Sequence, residues 1–300
     1  MCGIVGLFIK TPAMEPELGA LMTNMLGTMC ERGPDSAGFA VYSNGAAGTV
    51  KLTIRADNPD FDFDALRTTL SGEVGADIPI SIHGTHAVLT VPENLETQTR
   101  TILTSKTDDV DFVGSGTRME IYKEIGRPDD VAARFELSKM SGSHGIAHTR
   151  MATESAVTTN GAHPFSTGRD QCLVHNGSLS NHNALRRALR QDGMTFETEN
   201  DSEVAAGYLT QRMNHGASLG EALEQALDDL DGFYTFVVGT RDGFGVLRDP
   251  IACKPAVMAE TDEYVAFGSE YRALAGLPGI DSAKVWEPEP GTVYFWERSQ

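Results

Sequence analysis

A thiol one residue from the amino terminus is the first group in this chain that could do chemistry. Removing an initiator Met1 ahead of a small residue is routine, and it leaves Cys2 with a free α-amine. Such an amine titrates near neutrality, at about 7.7 to 8.0. It lies within reach of its own sulfur, so it can take the thiol proton and act as the base of an N-terminal nucleophile. A lone small cysteine heading an apolar segment reads equally well as core. The segments downstream separate the two readings.

They come in a fixed order. Met1-Cys2-Gly-Ile-Val-Gly6 is followed by Arg32-Gly-Pro-Asp-Ser-Ala-Gly38, His148-Thr-Arg-Met-Ala-Thr153 and Asn160-Gly-Ala-His-Pro164. Then come His175-Asn-Gly-Ser-Leu-Ser-Asn181 and Asn200-Asp-Ser-Glu-Val204, with Arg248-Asp-Pro250, Lys254-Pro255 and Phe267-Gly-Ser-Glu270 towards the end. Each is weak alone; in this succession they closely resemble the class II glutamine amidotransferase domain, a family of N-terminal nucleophile enzymes. The resemblance covers both ends and the middle, and leaves out only the stretch from about 50 to 140.

The resemblance implies a role for each matching residue. Cys2 is the nucleophile, attacking the side-chain amide of glutamine to form a thioester. Asn176, by its side-chain amide, and Gly177, by its backbone N–H, form the oxyanion hole, where fixed donors meet developing charge without reorganising. An Asn-Gly pair by itself would read as a hairpin turn. Arg150 grips the α-carboxylate with its planar fork, and Asp201 receives the α-ammonium while also suiting a helix start. Thr153 lines the same pocket, and Arg32 positions the Cys2 end. His148 and His163 brace loops. Two positions depart from the family pattern: Met151 replaces an aromatic, and Ala252-Cys253 replaces a glycine-containing segment.

The elements that must hold these residues follow from periodicity. Residues 2–9 read as a buried strand, and Leu18, Leu21, Met22, Met25, Leu26 and Met29 as the core stripe of a helix. Residues 38–55 read as a hairpin turning at Asn44-Gly45. Between about 50 and 140 the pattern changes to short strands, such as 86–91, and charged helices over 119–125 and 129–137; this is an inserted subdomain within one domain of 300 residues. Further helices are expected over 181–191, from the Asn200-Asp201 caps, and from the Ser218-Leu-Gly-Glu221 capping box. Short strands follow at 144–149, 233–238, 245–248, 256–259, 264–268 and 293–296. The fold class is α+β, with helices covering sheets; the resemblance implies a four-layer αββα sandwich of the N-terminal nucleophile hydrolase type.

Composition removes other classes. The net charge of -18 opposes a nucleic-acid partner. No run approaches the roughly 20 apolar residues of a membrane helix, and the start lacks a secretory signal, so a cytoplasmic protein is expected. The four cysteines, Cys2, Cys30, Cys172 and Cys253, form no Cys-x-x-Cys pair and are expected as free thiols, three of them in the core. His83 with His86, or His144 with His148, lack companions at ligand spacing, so no metal is expected. Gly114-Ser-Gly116 lacks the third glycine of a dinucleotide fingerprint.

The match extends to Gln300, which leaves no room for a synthase domain and points to a subunit that hands ammonia to partner synthase chains in a hetero-oligomer. The chain resembles the amidotransferase-like subunit of N-methylglutamate synthase and of split glutamate synthases. That resemblance implies no cofactor in this chain, with FMN and iron–sulfur centres in the partners. Two alternatives stand beside it: a catalytically silent assembly or sensing subunit, and a stand-alone hydrolase of another amide.

Overall fold

The computed structural model describes residues 2–107, 109–152 and 156–298. The chain opens with β1 (Gly3–Ile9), α1 (Leu18–Gly27) and β2 (Ser36–Tyr42). It continues through β3 (Thr49–Ala56), α2 (Phe63–Val74), β4 (Ile80–His83), β5 (His86–Pro92), α3 (Glu96–Lys106) and β6 (Val110–Gly116). β7 (Met119–Ile125), α4 (Pro128–Arg134), β8 (His144–Arg150), β9 (Phe165–Gly168) and β10 (Gln171–Leu179) come next. Three helices, α5 (His182–Gln191), α6 (Asp201–Asn214) and α7 (Leu219–Asp229), precede β11 (Gly232–Gly239) and β12 (Gly243–Arg248). The last strands are β13 (Val257–Glu260), β14 (Tyr264–Gly268), β15 (Lys284–Trp286) and β16 (Thr292–Glu297).

Two antiparallel sheets form the centre, ordered β15-β13-β14-β1-β8-β2-β7 and β16-β12-β11-β10-β9. Their strands are apolar on both faces because each face meets a different layer. In β1, Val5, Leu7 and Ile9 pack under α1 and α4, while Ile4 and Phe8 face the second sheet. In β10, Cys172 and Val174 face the first sheet, whereas Leu173 and Leu179 pack beneath α6 and α7. Three stacked cores therefore make four layers, the αββα sandwich that the resemblance implies. Gly6 lets the sheets close: a Cβ there would lie 2.8 Å from the Phe244 ring.

The stretch from about 50 to 140 divides. β4-β5-β3-β6 form a separate small sheet, covered by α2 and α3 over a core that includes Leu52, Ile54, Leu70, Leu89 and Leu103. Residues beyond 118 return to the sandwich: β7 pairs with β2 and α4 packs against α1. The helix expected over 119–125 is thus a strand. Its period-two signal lies in Met119 and Ile121, which face the inter-sheet core, alternating with Tyr122 on the other side.

The hairpin expected at Asn44-Gly45 does not form. β2 pairs with β7 and β8, and β3 with β5 and β6, in different sheets. Residues 43–48 instead run beside 117–118, with the Ser43 N–H donating to the Arg118 carbonyl (3.0 Å) and Arg118 Nη2 to Asn44 Oδ1 (3.1 Å). A Cβ on Gly45 would lie 2.0 Å from the Thr117 carbonyl oxygen, so glycine serves this crossing and not a turn. The Asp170 carboxylate ties the stem by accepting the N–H groups of Thr117, Arg118 and Met119.

The Asn200 side chain caps α6, and Ser218 with Glu221 closes the capping box of α7. Cys253 is exposed, contrary to its expected place in the core; it lies in the loop after β12, while Cys30 and Cys172 are buried. Among the described residues no helix is long and apolar enough to cross a membrane, and no cluster of His, Cys, Asp or Glu could hold a metal ion.

Candidate active site

The strand that follows Cys2, β1, is central in its sheet. Gly3 pairs with Thr149 of β8, and Arg150 pairs with Ser36 of β2, so Cys2 and Arg150 emerge at the same end of neighbouring strands. The Arg32–Gly38 segment threads beneath them. A Cβ on Gly33 would lie 2.6 Å from the Arg150 backbone, and Asp35 Oδ2 accepts the Ala152 N–H at 2.8 Å. Glycine and aspartate at these positions let two chain segments touch and fix the turn after Arg150.

Arg32 is buried behind Cys2. Its Nε donates to the Cys2 carbonyl (3.0 Å), and its Nη1 pairs with Glu270 Oε1. Glu270 is held below its ordinary carboxylate range chiefly by that hydrogen bond. From the facing sheet, Asn176 Nδ2 donates to the same carbonyl at 3.3 Å. An amide nitrogen has two hydrogens, so the second remains for an oxygen beside Cys2. Gly177 adopts φ +152°, and a Cβ there would lie 2.0 Å from the Phe233 carbonyl oxygen. A side chain would push the strand away from β11.

Asp201 opens α6. Its Oδ2 accepts the Leu179 N–H (2.9 Å), three residues beyond Asn176 on β10, and its Oδ1 accepts from Ser202 Oγ (3.3 Å). His163 and His175 also contact Ser202 Oγ, and His148 stacks on His163 with ring centroids 4.0 Å apart. Burial pushes all three imidazoles down, His148 to about 3 and His163 well below its ordinary value. The rings are therefore neutral, and the 3.7 Å approach of His175 Nδ1 to Asp201 is not an ion pair.

A cavity of about 840 Å³ collects Cys2, Arg150, Asn176, Gly177 and Asp201. Of the residues anticipated from sequence, these five share its wall, Arg32 lies behind it, and Thr153 lies outside the described residues. Two contributors carry no sequence-derived role. Ser202 sits within a motif already quoted. Lys254, in the Lys254-Pro255 pair, lines the cavity with its Nζ 5.1 Å from the Phe233 ring centroid. Arg248 sets the position of Lys254 by donating to its carbonyl (3.2 Å) and to that of Ala252 (3.0 Å).

Comparison with known proteins decides the family. The model of the "Glutamine amidotransferase domain" matches residues 148–276, which carry Arg150, Asn176, Gly177 and Asp201. The Glutamine amidotransferase-like protein GlxB of Rhizobium meliloti (strain 1021) is 61% identical over 300 residues, covering 100% of this chain and 99% of that protein. A protein of Methanothermobacter thermautotrophicus, also named as a glutamine amidotransferase, is 35% identical over 99% of this chain and 100% of its own length. This chain belongs to the class II glutamine amidotransferases. The family is one of N-terminal nucleophile amidohydrolases, and the fold agrees. The glutamine phosphoribosylpyrophosphate amidotransferase from B. subtilis superposes with a TM-score of 0.63 at 19% identity, over 99% of this chain and 47% of that one.

Proposed function

We propose that this amidotransferase hydrolyses the side-chain amide of glutamine at Cys2 and passes the ammonia to a partner synthase subunit. The observation that carries the reading is the single cavity walled by a thiol, an amide donor, a positive-φ glycine N–H, an arginine and an aspartate.

Once Met1 is removed, the Cys2 α-amine takes the thiol proton and the sulfur attacks the glutamine Cδ. The developing oxyanion is received by the second Asn176 Nδ2 hydrogen and the Gly177 N–H. As the tetrahedral intermediate collapses, the C–N bond breaks and the α-amine returns its proton to the leaving nitrogen, giving ammonia and a thioester. Water, deprotonated by the same amine, then releases glutamate. Arg32 and Asn176 both hold the Cys2 carbonyl, which keeps the sulfur from swinging out of line. Arg150 and Asp201 read the two charges of the amino-acid head.

Ammonia released into water is protonated and lost as a nucleophile, so a sheltered transfer to a bound acceptor is the physical expectation. The partner is of the glutamate synthase or N-methylglutamate synthase type, with FMN and iron–sulfur centres in its own chains, and assembly takes place in the cytoplasm. The small sheet of residues 49–116 is the docking surface for it. Ammonia release from glutamine, asparagine and acylated amines, measured with and without co-purified chains, tests the activity; no glutamine turnover in the presence of partner rejects it. Intact mass must show loss of Met1. Deleting the small sheet must abolish assembly, and unchanged assembly would refute the docking role.

A further inference from the structure

We propose that Ser202 is a positioning residue for substrate, its hydroxyl locking the Asp201 carboxylate in the orientation that receives an α-ammonium. The proposal rests on the glutamine reading above for the role of Asp201, and on geometry for the lock itself.

The Ser202 side chain is buried (1% exposed) and meets three polar atoms: His175 Nδ1 at 2.8 Å, His163 Nε2 at 2.9 Å and Asp201 Oδ1 at 3.3 Å. A hydroxyl has one proton to give and two lone pairs. An ionised carboxylate only accepts, and a charge-assisted bond is the strongest use of that proton. Ser202 therefore donates to Asp201, and both lone pairs are filled by ring N–H groups. This assigns the tautomers: His175 carries its proton on Nδ1 and His163 on Nε2. It also accounts for two buried ring nitrogens with no hydrogen-bond partner, His175 Nε2 and His163 Nδ1, because these are the proton-free positions.

The two histidines come from separate pieces of chain, β10 and the loop before β9, so the hydroxyl cannot rotate without losing a bond to one of them. With Oδ2 held by the Leu179 N–H, both Asp201 oxygens have an assigned donor. The carboxylate is thus held at both oxygens, and Asp201 lines the cavity. Among the described residues the Ser202 hydroxyl bonds His163, His175 and Asp201 and neither Cys2 nor Asn176, so its loss must show in binding rather than in bond breaking.

The experiment compares Ser202→Ala with the unaltered enzyme on glutamine and on 4-carbamoylbutanoate, which is glutamine without its ammonium. A hydrogen bond to a charged group predicts a glutamine KM raised about 10-fold to 100-fold, with kcat within about threefold. Turnover of 4-carbamoylbutanoate and the rate of Cys2 alkylation by iodoacetamide are expected to be unchanged, which also shows that the variant is folded. An unchanged glutamine KM, or equal losses on both substrates, overturns the proposal. If the unaltered enzyme does not turn over glutamine, the functional reading fails, and a crystal structure of S202A still judges the lock. An Asp201 carboxylate displaced from the Leu179 N–H supports it; one that stays in place overturns it.

Discussion

Two regions of this molecule are built on opposite plans. The seam between the large sheets gathers Cys2, Arg32, Arg150, Asn176 and Asp201 from distant points of the chain, and hydrogen bonds fix the Cys2 carbonyl, the Arg150 guanidinium and the Asp201 carboxylate in place. The small sheet of residues 49–116 is nearly continuous in sequence, has its own apolar core, and places its charges on the outside in pairs such as Lys106–Glu73 and Arg100–Glu96. In the seam, polar groups are oriented towards a space. In the small sheet charged groups pair with each other or with the neighbouring sandwich, as Arg55 does with Asp111 and Asn160 and Glu96 with Arg169. Chemistry needs the first arrangement, and a recognition module can be built on the second.

The widest separation between the two regions is expected at the nucleophile. Cys2→Ala should lower glutamine hydrolysis by at least about 10⁴-fold while leaving the thermal midpoint nearly unchanged; an active C2A enzyme would place the reaction elsewhere. Next, Asn176→Ala should cost about 100-fold to 1,000-fold in kcat, read in single-turnover acylation. A loss confined to KM would remove Asn176 from the oxyanion role.

The reverse comparison comes from Leu52→Ala in the small sheet. It should cost about 2–5 kcal/mol of local stability, seen as faster hydrogen exchange in β3 and β5, with kcat preserved. A matching fall in kcat would show that the two regions are not independent.

Acid separates them again. Burial holds His144, His148, His163 and His175 in the sandwich below their ordinary value, so the unfolded chain takes up protons that the folded chain refuses. Stability is complete above about pH 6.5 and is lost as the pH falls below it, by up to about 1.4 kcal/mol per pH unit for each such ring. The small sheet carries one ring of this kind, His86 at the start of β5, which burial pushes down to about 3. With four such rings against one, exchange at pH 5 should open the seam before the β3–β5 pair, and the opposite order would reject this account.

The smallest effect is at Ala252, which sits at φ +52° where the family pattern has glycine nearby. Ala252→Gly should gain about 1 kcal/mol by relieving left-handed strain, detectable as a rise in denaturant midpoint. No gain would mean that the Arg248 contacts already absorb the strain.

The seam was largely legible in the sequence because its residues occur as short fixed strings. Cys2, Arg150, Asn176, Gly177 and Asp201 meet in one cavity although their strings are spread between residues 1 and 204. Partnership was less legible than membership. Ser202 lay in view, but a hydroxyl shared by two histidines and a carboxylate depends on side chains brought from three segments. Arg32 was legible as a residue that positions the Cys2 end, but the partner that holds it, Glu270, lies at the other end of the chain. The small sheet was harder still. Asn44-Gly45 carries the local signal of a hairpin, and only the far contact with Thr117 and Arg118 shows that the chain crosses there to another sheet. Likewise 119–125 has the charges of an exposed helix, and its burial as a strand comes from pairing with β2.

Strand β10 places Asn176 and the Leu179 N–H, and through that N–H the Asp201 carboxylate, on one rigid backbone. Three residues of extended chain span roughly 10 Å, and a strand paired along its length barely stretches. In the proposed reaction it works as a fixed gauge between the point where the amide would be cleaved and the point where the ammonium would be held. The proposed reading then predicts that an amide one methylene shorter fails to reach both marks at once, a selectivity set by the backbone and not by any one side chain.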